Sequence, residues 1–265
     1  MPLVGLGLYD VSEKEMPKAA ASAIAAGYRL FDTASVYKNE AALGQALKNS
    51  TISRDELFIT SKVWNTAQRM GDIEGALDRT LDRLGLDYLD LYLIQWPVPG
   101  CYLSTWMEMI ELQKKGKIRS IGVSNFEIPH LQELISVSKV IPSVNQIECH
   151  PLRTRPDLLH FCRENGIVPQ AYAPLARGLY QDREMLLTIG EKYDKDASQI
   201  GLRFLVQQGI SVIPKSTRPE RQQANIELFN FELTDLEMRT ISTMDENLRT
   251  TFIPDDMVGV DPFIV

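Results

Sequence analysis

The 265-residue sequence has few of the residues that form disulfide bonds in small secreted domains or bind structural metals. It has three cysteines, Cys101, Cys149 and Cys162, three scattered histidines and no Cys-x-x-Cys pair. An odd number of cysteines without such a pair predicts neither a disulfide framework nor a zinc site. We therefore expect reduced thiols and no metal centre.

Long apolar runs and an excess of positive charge are also absent. No stretch of about 18 apolar residues occurs, and residues 1–5 lack the basic start and cleavage site of a signal peptide. The formal net charge of −7 argues against a nucleic-acid surface. These features predict a cytoplasmic protein, expected to be monomeric, that binds neither membranes nor nucleic acid.

What the sequence does contain is an alternation of short apolar runs with longer amphipathic segments. Eight short runs have the length and composition of buried parallel strands, and five of the helical segments between them end at a glycine, as expected of helix caps. The predicted strands span 4–8, 29–32, 57–62, 89–95, 120–124, 143–148, 168–172 and 211–215. The predicted helices include 14–26, 72–84, 105–115, 128–137, 156–165 and 198–208, and the glycines are Gly27, Gly85, Gly116, Gly166 and Gly209.

Eight strands that alternate with helices predict an α/β fold, the closed (β/α)8 or TIM barrel. A doubly wound sheet is the alternative, but Gly5-Leu6-Gly7 lacks the third glycine and the following helix of a dinucleotide-binding fingerprint. Thr234 and Glu237 have the spacing of a capping box, which predicts an extra helix over 233–244. We expect a single domain over 1–265 that ends in an irregular tail from residue 246.

Polar residues close the predicted strands in one unit after another. Because active sites of such barrels lie at the C-terminal ends of the strands, these residues are candidate site residues. Asp32, Tyr37 and Lys62 together supply a carboxylate, a phenol and an ammonium, the groups needed to protonate a carbonyl oxygen. We expect Lys62 to lower the pKa of Tyr37 and Asp32 to hold Lys62 charged. Taken alone, the three residues also fit a surface salt bridge and a core tyrosine.

Motifs at these strand ends resemble those of the aldo-keto reductases, in particular small bacterial members similar to 2,5-diketo-gluconate reductases. The resemblance covers nearly the whole chain and its motifs are together highly specific. They are Phe31-Asp32-Thr33-Ala34, Thr60-Ser61-Lys62-Val63-Trp64, Asp87-Tyr88-Leu89-Asp90-Leu91, Gly122-Val123-Ser124-Asn125-Phe126, Asn145-Gln146-Ile147-Glu148, His150-Pro151, Ala173-Pro174-Leu175 and Ile213-Pro214-Lys215-Ser216. The resemblance implies the barrel fold and the NADPH-dependent reduction of an aldehyde or ketone to an alcohol.

The resemblance also implies a role for each matching residue. Tyr37 matches the general acid, Lys62 the residue that tunes it, and Asp32 the partner of that lysine. Further matches imply contacts with the nicotinamide carboxamide, stacking on its ring, a clamp on the 2′-phosphate and a contact with the adenine. In chain order these cofactor residues are Ser124, Asn125, Gln146, Tyr172, Leu175, Lys215, Ser216, Thr217, Arg221 and Asn225.

The chain departs from the family pattern at a fourth catalytic position. The family usually has His before Trp-Pro at the end of the fourth strand, and this chain has Gln95. A glutamine amide donates a neutral hydrogen bond but cannot transfer a proton as histidine can. An alternative function is therefore an NADPH-binding sensor or partner subunit with weakened turnover. Leu8 and Ala173 likewise remove hydroxyls that the family often has, and the N-terminal hairpin of many relatives is expected to be reduced or missing.

The substrate pocket is less well defined by the sequence. Trp64 and Trp96 directly follow predicted strand ends and are expected to wall it. The tail, with Phe252, Ile253 and Phe263, either covers the pocket or only packs on the barrel. No basic residue is placed to bind a substrate carboxylate, so a small carbonyl compound is the expected substrate without further definition.

Overall fold

The computed structural model describes residues 1–263, and the last two residues of the predicted tail lie outside this part. Eight parallel strands follow one another around a single sheet in chain order. The eight predicted strands are all confirmed, with shifts of a few residues at their ends. They are β1 Gly5–Gly7, β2 Leu30–Asp32, β3 Phe58–Val63, β4 Leu89–Ile94, β5 Ile118–Ser124, β6 Val144–Glu148, β7 Val168–Tyr172 and β8 Ser211–Val212.

Backbone contacts between the last and first strands close the sheet into a barrel. Val4 forms a parallel bridge with Val212, whose N–H donates to the carbonyl of Leu3 at 2.8 Å. Gly7 donates to the carbonyl of Pro214 at 3.2 Å. A Cβ on Gly7 would lie 2.6 Å from the carbonyl oxygen of Ile213, so this close approach requires glycine. The predicted TIM barrel is therefore correct.

Helices cover the outside of the barrel, and the predicted ones are confirmed with small shifts. Four helices that the sequence analysis did not delimit also occur, at 40–48, 65–70, 184–193 and 219–226. The described helices are α1 Met16–Ala25, α2 Glu40–Lys48, α3 Asn65–Met70, α4 Ile73–Leu84, α5 Tyr102–Lys114, α6 Ile128–Ser138, α7 Pro156–Glu164, α8 Glu184–Tyr193, α9 Ala197–Val206, α10 Pro219–Ile226 and α11 Asp235–Ser242.

Local signals explain where several helices end and begin. The five predicted cap glycines all have positive φ, from +64° to +99°, a conformation that favours residues without a Cβ. At α11 the Thr234 hydroxyl accepts from the Glu237 N–H at 3.3 Å, and the Glu237 carboxylate accepts from the Thr234 N–H at 2.7 Å. The predicted capping box therefore forms.

The chain reaches the top of the barrel again after α11. The backbone N–H groups of Glu246 and Leu248 donate to the carbonyl of Leu152. The tail therefore starts beside the end of β6. The tail then runs without regular secondary structure to residue 263. At the other terminus β1 begins at Gly5, and the described residues before it form no hairpin. No helix in the described part of the chain is both long and apolar enough to span a bilayer.

Candidate active site

A large cleft of about 1010 Å³ opens at the C-terminal ends of the strands. Its lining contains most of the residues predicted from the sequence. Those present are Asp32, Tyr37, Lys62, Trp64, Gln95, Trp96, Ser124, Asn125, Gln146, Tyr172, Leu175, Lys215 and Arg221. Ser216, Thr217 and Asn225 are not part of the lining, and the first and last of these are buried.

A buried ion pair lies at the floor of the cleft. Lys62, at the end of β3, places Nζ 2.5 Å from Oδ1 of Asp32, at the end of β2. The lysine also donates to the carbonyl of Thr33 at 2.9 Å, and its side chain is only 1% exposed. Burial lowers the pKa of Lys62, whereas Asp32 and Glu40 oppose that change. The carboxylate thus holds the ammonium in place, as expected from the sequence.

Tyr37 is carried to the same point by a short 3₁₀ turn, Ser35–Tyr37, directly after β2. Its hydroxyl lies 3.5 Å from Nζ of Lys62, and its ring meets the ring of Tyr9 edge-on at 5.1 Å. Burial raises the pKa of Tyr37 well above its ordinary value, and Asp32 and Tyr9 act in the same direction. The expected lowering by Lys62 is therefore wrong, because burial of the phenol and the nearby Asp32 both favour its neutral form. The phenol keeps its proton at neutral pH.

Asn125 and Tyr172 form the next part of the wall. Asn125 follows β5 in a left-handed conformation with φ of +63°, which asparagine tolerates better than most residues. Its Oδ1 accepts from the Tyr172 hydroxyl at 2.6 Å, and its Nδ2 donates to the backbone carbonyl of Gln95 at 2.9 Å. Ser124 donates to the carbonyl of Gln146 at 2.9 Å. These bonds fix the side chains of Ser124, Asn125 and Tyr172 relative to one another and to the backbone at the ends of β4 and β6.

Gln95 lies directly after β4 and is 7% exposed. Among the described residues, its Oε1 is buried without a hydrogen-bond partner. Gln95 also lines the cleft, and its amide nitrogen is able to donate a hydrogen bond.

The far end of the cleft carries positive charge. Lys215 and Arg221 both line it and are exposed, and Arg221 lies in the first turn of α10. The free backbone N–H groups of a helix N-terminus favour anions. The hydroxyl of Ser216 instead accepts from the N–H of Arg218 at 3.1 Å and so shapes this turn. Lys215, Arg221 and the helix start can therefore hold a phosphate.

Aromatic and tail residues wall the opposite end. Trp96 packs in a small cluster with Val98 and Met257 of the tail, and Trp64 and Ile253 pack against it. Sequence reasoning missed several lining residues, because loops after β1 and β7 and an irregular tail give no periodic signal. The missed residues include Tyr9, Asp10, Val36, Arg177, Gln181, Thr251, Pro254, Asp255 and Asp256. Phe252 lines the cleft, whereas Phe263 packs on the ring of His130 at 5.4 Å.

Comparison with known proteins is consistent with this geometry. The sequence matches the Aldo/keto reductase family over residues 4–246. The chain belongs to the aldo/keto reductase family. It is 43% identical over 259 residues to glyoxal reductase of Bacillus subtilis (strain 168), covering 97% of this chain and 94% of that protein. It is also 43% identical over 250 residues to methylglyoxal reductase DkgA of Yersinia pestis, covering 92% and 89%.

A solved structure gives the same result. The structure of the Bombyx mori aldo-keto reductase in complex with NADP is 38% identical in sequence and superimposes with a TM-score of 0.90. The match covers 96% of this chain and 92% of that one. The protein is thus an aldo-keto reductase with the barrel of its relatives, and the resemblance seen in its motifs is correct. As a member of this family it is an oxidoreductase.

Two buried carboxylates anchor the tail of this aldo-keto reductase. Glu148, at the end of β6, accepts from the N–H and the hydroxyl of Thr250 and from the hydroxyl of Thr251, each at 2.6 Å. Farther on, Asp261 pairs with His130 of α6 at 2.9 Å. The segment between these anchors passes over the aromatic end of the cleft. The link between Glu148 and the tail could not be predicted from the sequence, because Thr250 and Thr251 lie about 100 residues away.

The Glu148 anchor predicts how stability depends on pH. Burial alone would raise the pKa of Glu148, but hydrogen bonds from His150, Thr250 and Thr251 together lower it to about 2. A carboxyl whose folded pKa lies below its unfolded value stabilises the fold above the unfolded pKa, and this contribution is lost as pH falls toward the folded pKa. The free energy of unfolding of the wild-type protein should therefore fall by about 2 to 3 kcal/mol, through this group, between roughly pH 5 and pH 2.

Urea unfolding at closely spaced pH values measures this effect. The Glu148→Gln variant should be less stable at pH 7 and should show a shallower loss of stability on acidification. An exposed carboxylate, Glu191, provides the matched control as Glu191→Gln. If the free energy of unfolding falls equally steeply with acidification in all three proteins, the assignment to Glu148 is wrong.

Proposed function

We propose that this protein reduces small aldehydes or ketones to alcohols with NADPH, and that Tyr37 is the general acid. The observation that carries the proposal is the position of Tyr37 beside the buried Lys62–Asp32 pair, at the floor of a cleft deep in the barrel mouth. A phenol, an ammonium and a carboxylate in contact are what proton delivery to a carbonyl oxygen requires.

The lining of the cleft fits NADPH. Its volume of about 1010 Å³ exceeds what a small carbonyl compound needs. Lys215 and Arg221 would hold the 2′-phosphate at the start of α10, the first as a point charge and the second as a bidentate fork. Ser124, Asn125 and Gln146 would bind the carboxamide, and Tyr172 would stack on the nicotinamide ring. When bound, the cofactor supplies the hydride.

The residues of the chain then perform the proton chemistry. Tyr37 donates its phenolic proton to the carbonyl oxygen, on which negative charge develops. Lys62 stabilises the phenolate that this leaves, and Asp32 keeps the ammonium charged and aimed. The amide nitrogen of Gln95 donates a hydrogen bond to the same carbonyl oxygen, which polarises it.

The aromatic end of the cleft would accept the rest of the substrate. Trp64, Trp96 and Phe252 present apolar surface there. Two relatives are named for their action on glyoxal and methylglyoxal, which are small dicarbonyl compounds. Small dicarbonyls and simple aldehydes are therefore the first substrates to test.

The Tyr37→Phe variant tests the assignment of the acid. Turnover at saturating substrate should fall more than tenfold, because proton transfer by a positioned acid contributes about 10²- to 10⁴-fold. The dissociation constant for NADPH should stay nearly unchanged. NADPH oxidation with methylglyoxal, a simple aldehyde and a ketone is the measurement, and a variant that keeps more than a tenth of wild-type turnover would rule Tyr37 out as the acid.

Cofactor choice is tested at the basic end of the cleft. Lys215→Ala combined with Arg221→Ala should weaken NADPH binding by a few kcal/mol, since charge-assisted bonds contribute about 1.5 to 3 kcal/mol each. Binding of NADH, which lacks the 2′-phosphate, should hardly change. Fluorescence titration of both cofactors gives the comparison, and equal losses for the two would place the phosphate clamp elsewhere.

Gln95→His separates a working reductase from a weakened NADPH-binding sensor. In a reductase with a reduced polarising contact, histidine should raise kcat/KM for simple aldehydes about tenfold to a few hundredfold, or roughly 1.4 to 3 kcal/mol of barrier. Activated dicarbonyls should gain least, because they need less polarisation. Measurement of kcat/KM for the wild type and Gln95→His on an aldehyde, a ketone and a dicarbonyl distinguishes the two functions. Cofactor binding without turnover in either protein would support the sensor instead.

A further inference from the structure

A column of buried polar side chains runs through the barrel below the ion pair. Gln146, Gln170 and Ser211 lie on β6, β7 and β8 at positions that are paired in register, so they form one layer of the barrel interior. Gln146 Nε2 donates to Oδ2 of Asp32 at 2.7 Å and to Oε1 of Gln170 at 2.7 Å. Gln170 Nε2 donates to the hydroxyl of Ser211 at 3.2 Å, and this hydroxyl donates to the carbonyl of Pro2 at 3.1 Å.

Chemistry fixes the direction of every bond in this column. The Asp32 carboxylate, paired with Lys62, only accepts, so the amide nitrogen of Gln146 must face it. That nitrogen is a donor, so Gln170 must turn its oxygen toward Gln146 and its nitrogen toward Ser211. The column ends on a backbone carbonyl, which again only accepts. If the Gln170 amide were reversed, its nitrogen would face the nitrogen of Gln146. Both groups are donors, so neither would have an acceptor there.

The consequence concerns the polar atom that Gln146 offers to the cleft. Both N–H groups of this amide are used inside the barrel, one by Asp32 and one by Gln170. Its Oε1 is therefore the atom left for a ligand, and it can only accept a hydrogen bond. An acceptor at this point complements the NH₂ group of a carboxamide.

We infer that Gln170 is a positioning residue, which acts through Gln146 to hold its amide as an acceptor toward the nicotinamide carboxamide. This inference rests on the proposed function. Gln170 is fully buried and does not line the cleft. Without its oxygen, the second N–H of Gln146 has no partner inside the barrel, and the amide is free to turn this group toward the cleft. The nicotinamide end of the cofactor then loses a correctly oriented hydrogen bond.

Two ligands separate positioning from a general loss of structure. NADP⁺ carries the nicotinamide, whereas adenosine 2′,5′-bisphosphate carries only the adenine and phosphate end. In Gln170→Met, which keeps the side-chain length but removes the amide, the dissociation constant for NADP⁺ should rise about five- to tenfold. The dissociation constant for adenosine 2′,5′-bisphosphate should change less than about twofold. Titration by quenching of tryptophan fluorescence measures both.

Gln170→Glu provides the rescue by a conservative variant. When the introduced carboxyl is neutral, its carbonyl oxygen can accept from Gln146 and its hydroxyl can donate to Ser211, as the wild-type amide does. When it is ionised, one oxygen still accepts from Gln146 and only the donation to Ser211 is lost. NADP⁺ binding by this variant should therefore stay close to wild type at about pH 5, in contrast to Gln170→Met at the same pH.

The outcomes are distinct. If Gln170→Met loses affinity equally for the two ligands, or for neither, the inference is overturned. The same holds if Gln170→Glu has the dissociation constants of Gln170→Met at every pH. Gln207→Met is the control, because this amide is bonded at both ends to Leu233 on the outside of the barrel; it should leave both dissociation constants unchanged. If wild type itself binds neither ligand, the proposed cofactor is wrong and the inference falls with it.

Discussion

The ion pair between Lys62 and Asp32 is the interaction on which the rest of the site depends. A lysine that is 1% exposed has lost nearly all of its hydration, so its charge is tolerated only with a partner. Removing one partner of such a pair typically costs about 3 to 5 kcal/mol, because the other charge is left buried alone. Each neighbour is arranged around this requirement: Thr33 supplies a carbonyl to the ammonium, and Gln146 supplies an amide to the carboxylate.

Burial also determines the state of Tyr37. It raises the pKa of the phenol, and Asp32 and Tyr9 act in the same direction, so Tyr37 keeps its proton. In the proposed function Tyr37 donates a proton, and a phenol that keeps its proton suits this reduction better than alcohol oxidation. In that proposed step Lys62 and Asp32 act on the phenolate that remains after proton transfer more than on the starting acid.

Much of this arrangement can be predicted from the sequence, because a barrel repeats one unit. Apolar runs give the strands, glycines mark the helix ends, and the last polar residue of each run points to the mouth, as Asp32, Lys62 and Gln95 show. The raised pKa of Tyr37 could not be predicted, because it depends on how completely the folded chain buries the phenol. Loop and tail residues such as Tyr9 and Asp256 were also missed, since irregular backbone has no period and contacts distant in sequence leave no local signal.

The two-point anchoring of the tail has a consequence for how such an enzyme can diversify. Glu148 and His130 hold the tail at residues 250–251 and at Asp261, so the backbone between them is fixed at both ends. Some side chains on that span, with Phe252 as the clearest case, line the cleft and are exposed, whereas Met257 is buried against Trp96. In the proposed function, substitutions at exposed positions such as Phe252 can therefore reshape the wall of the cleft and its substrate preference while the buried positions keep the span in place.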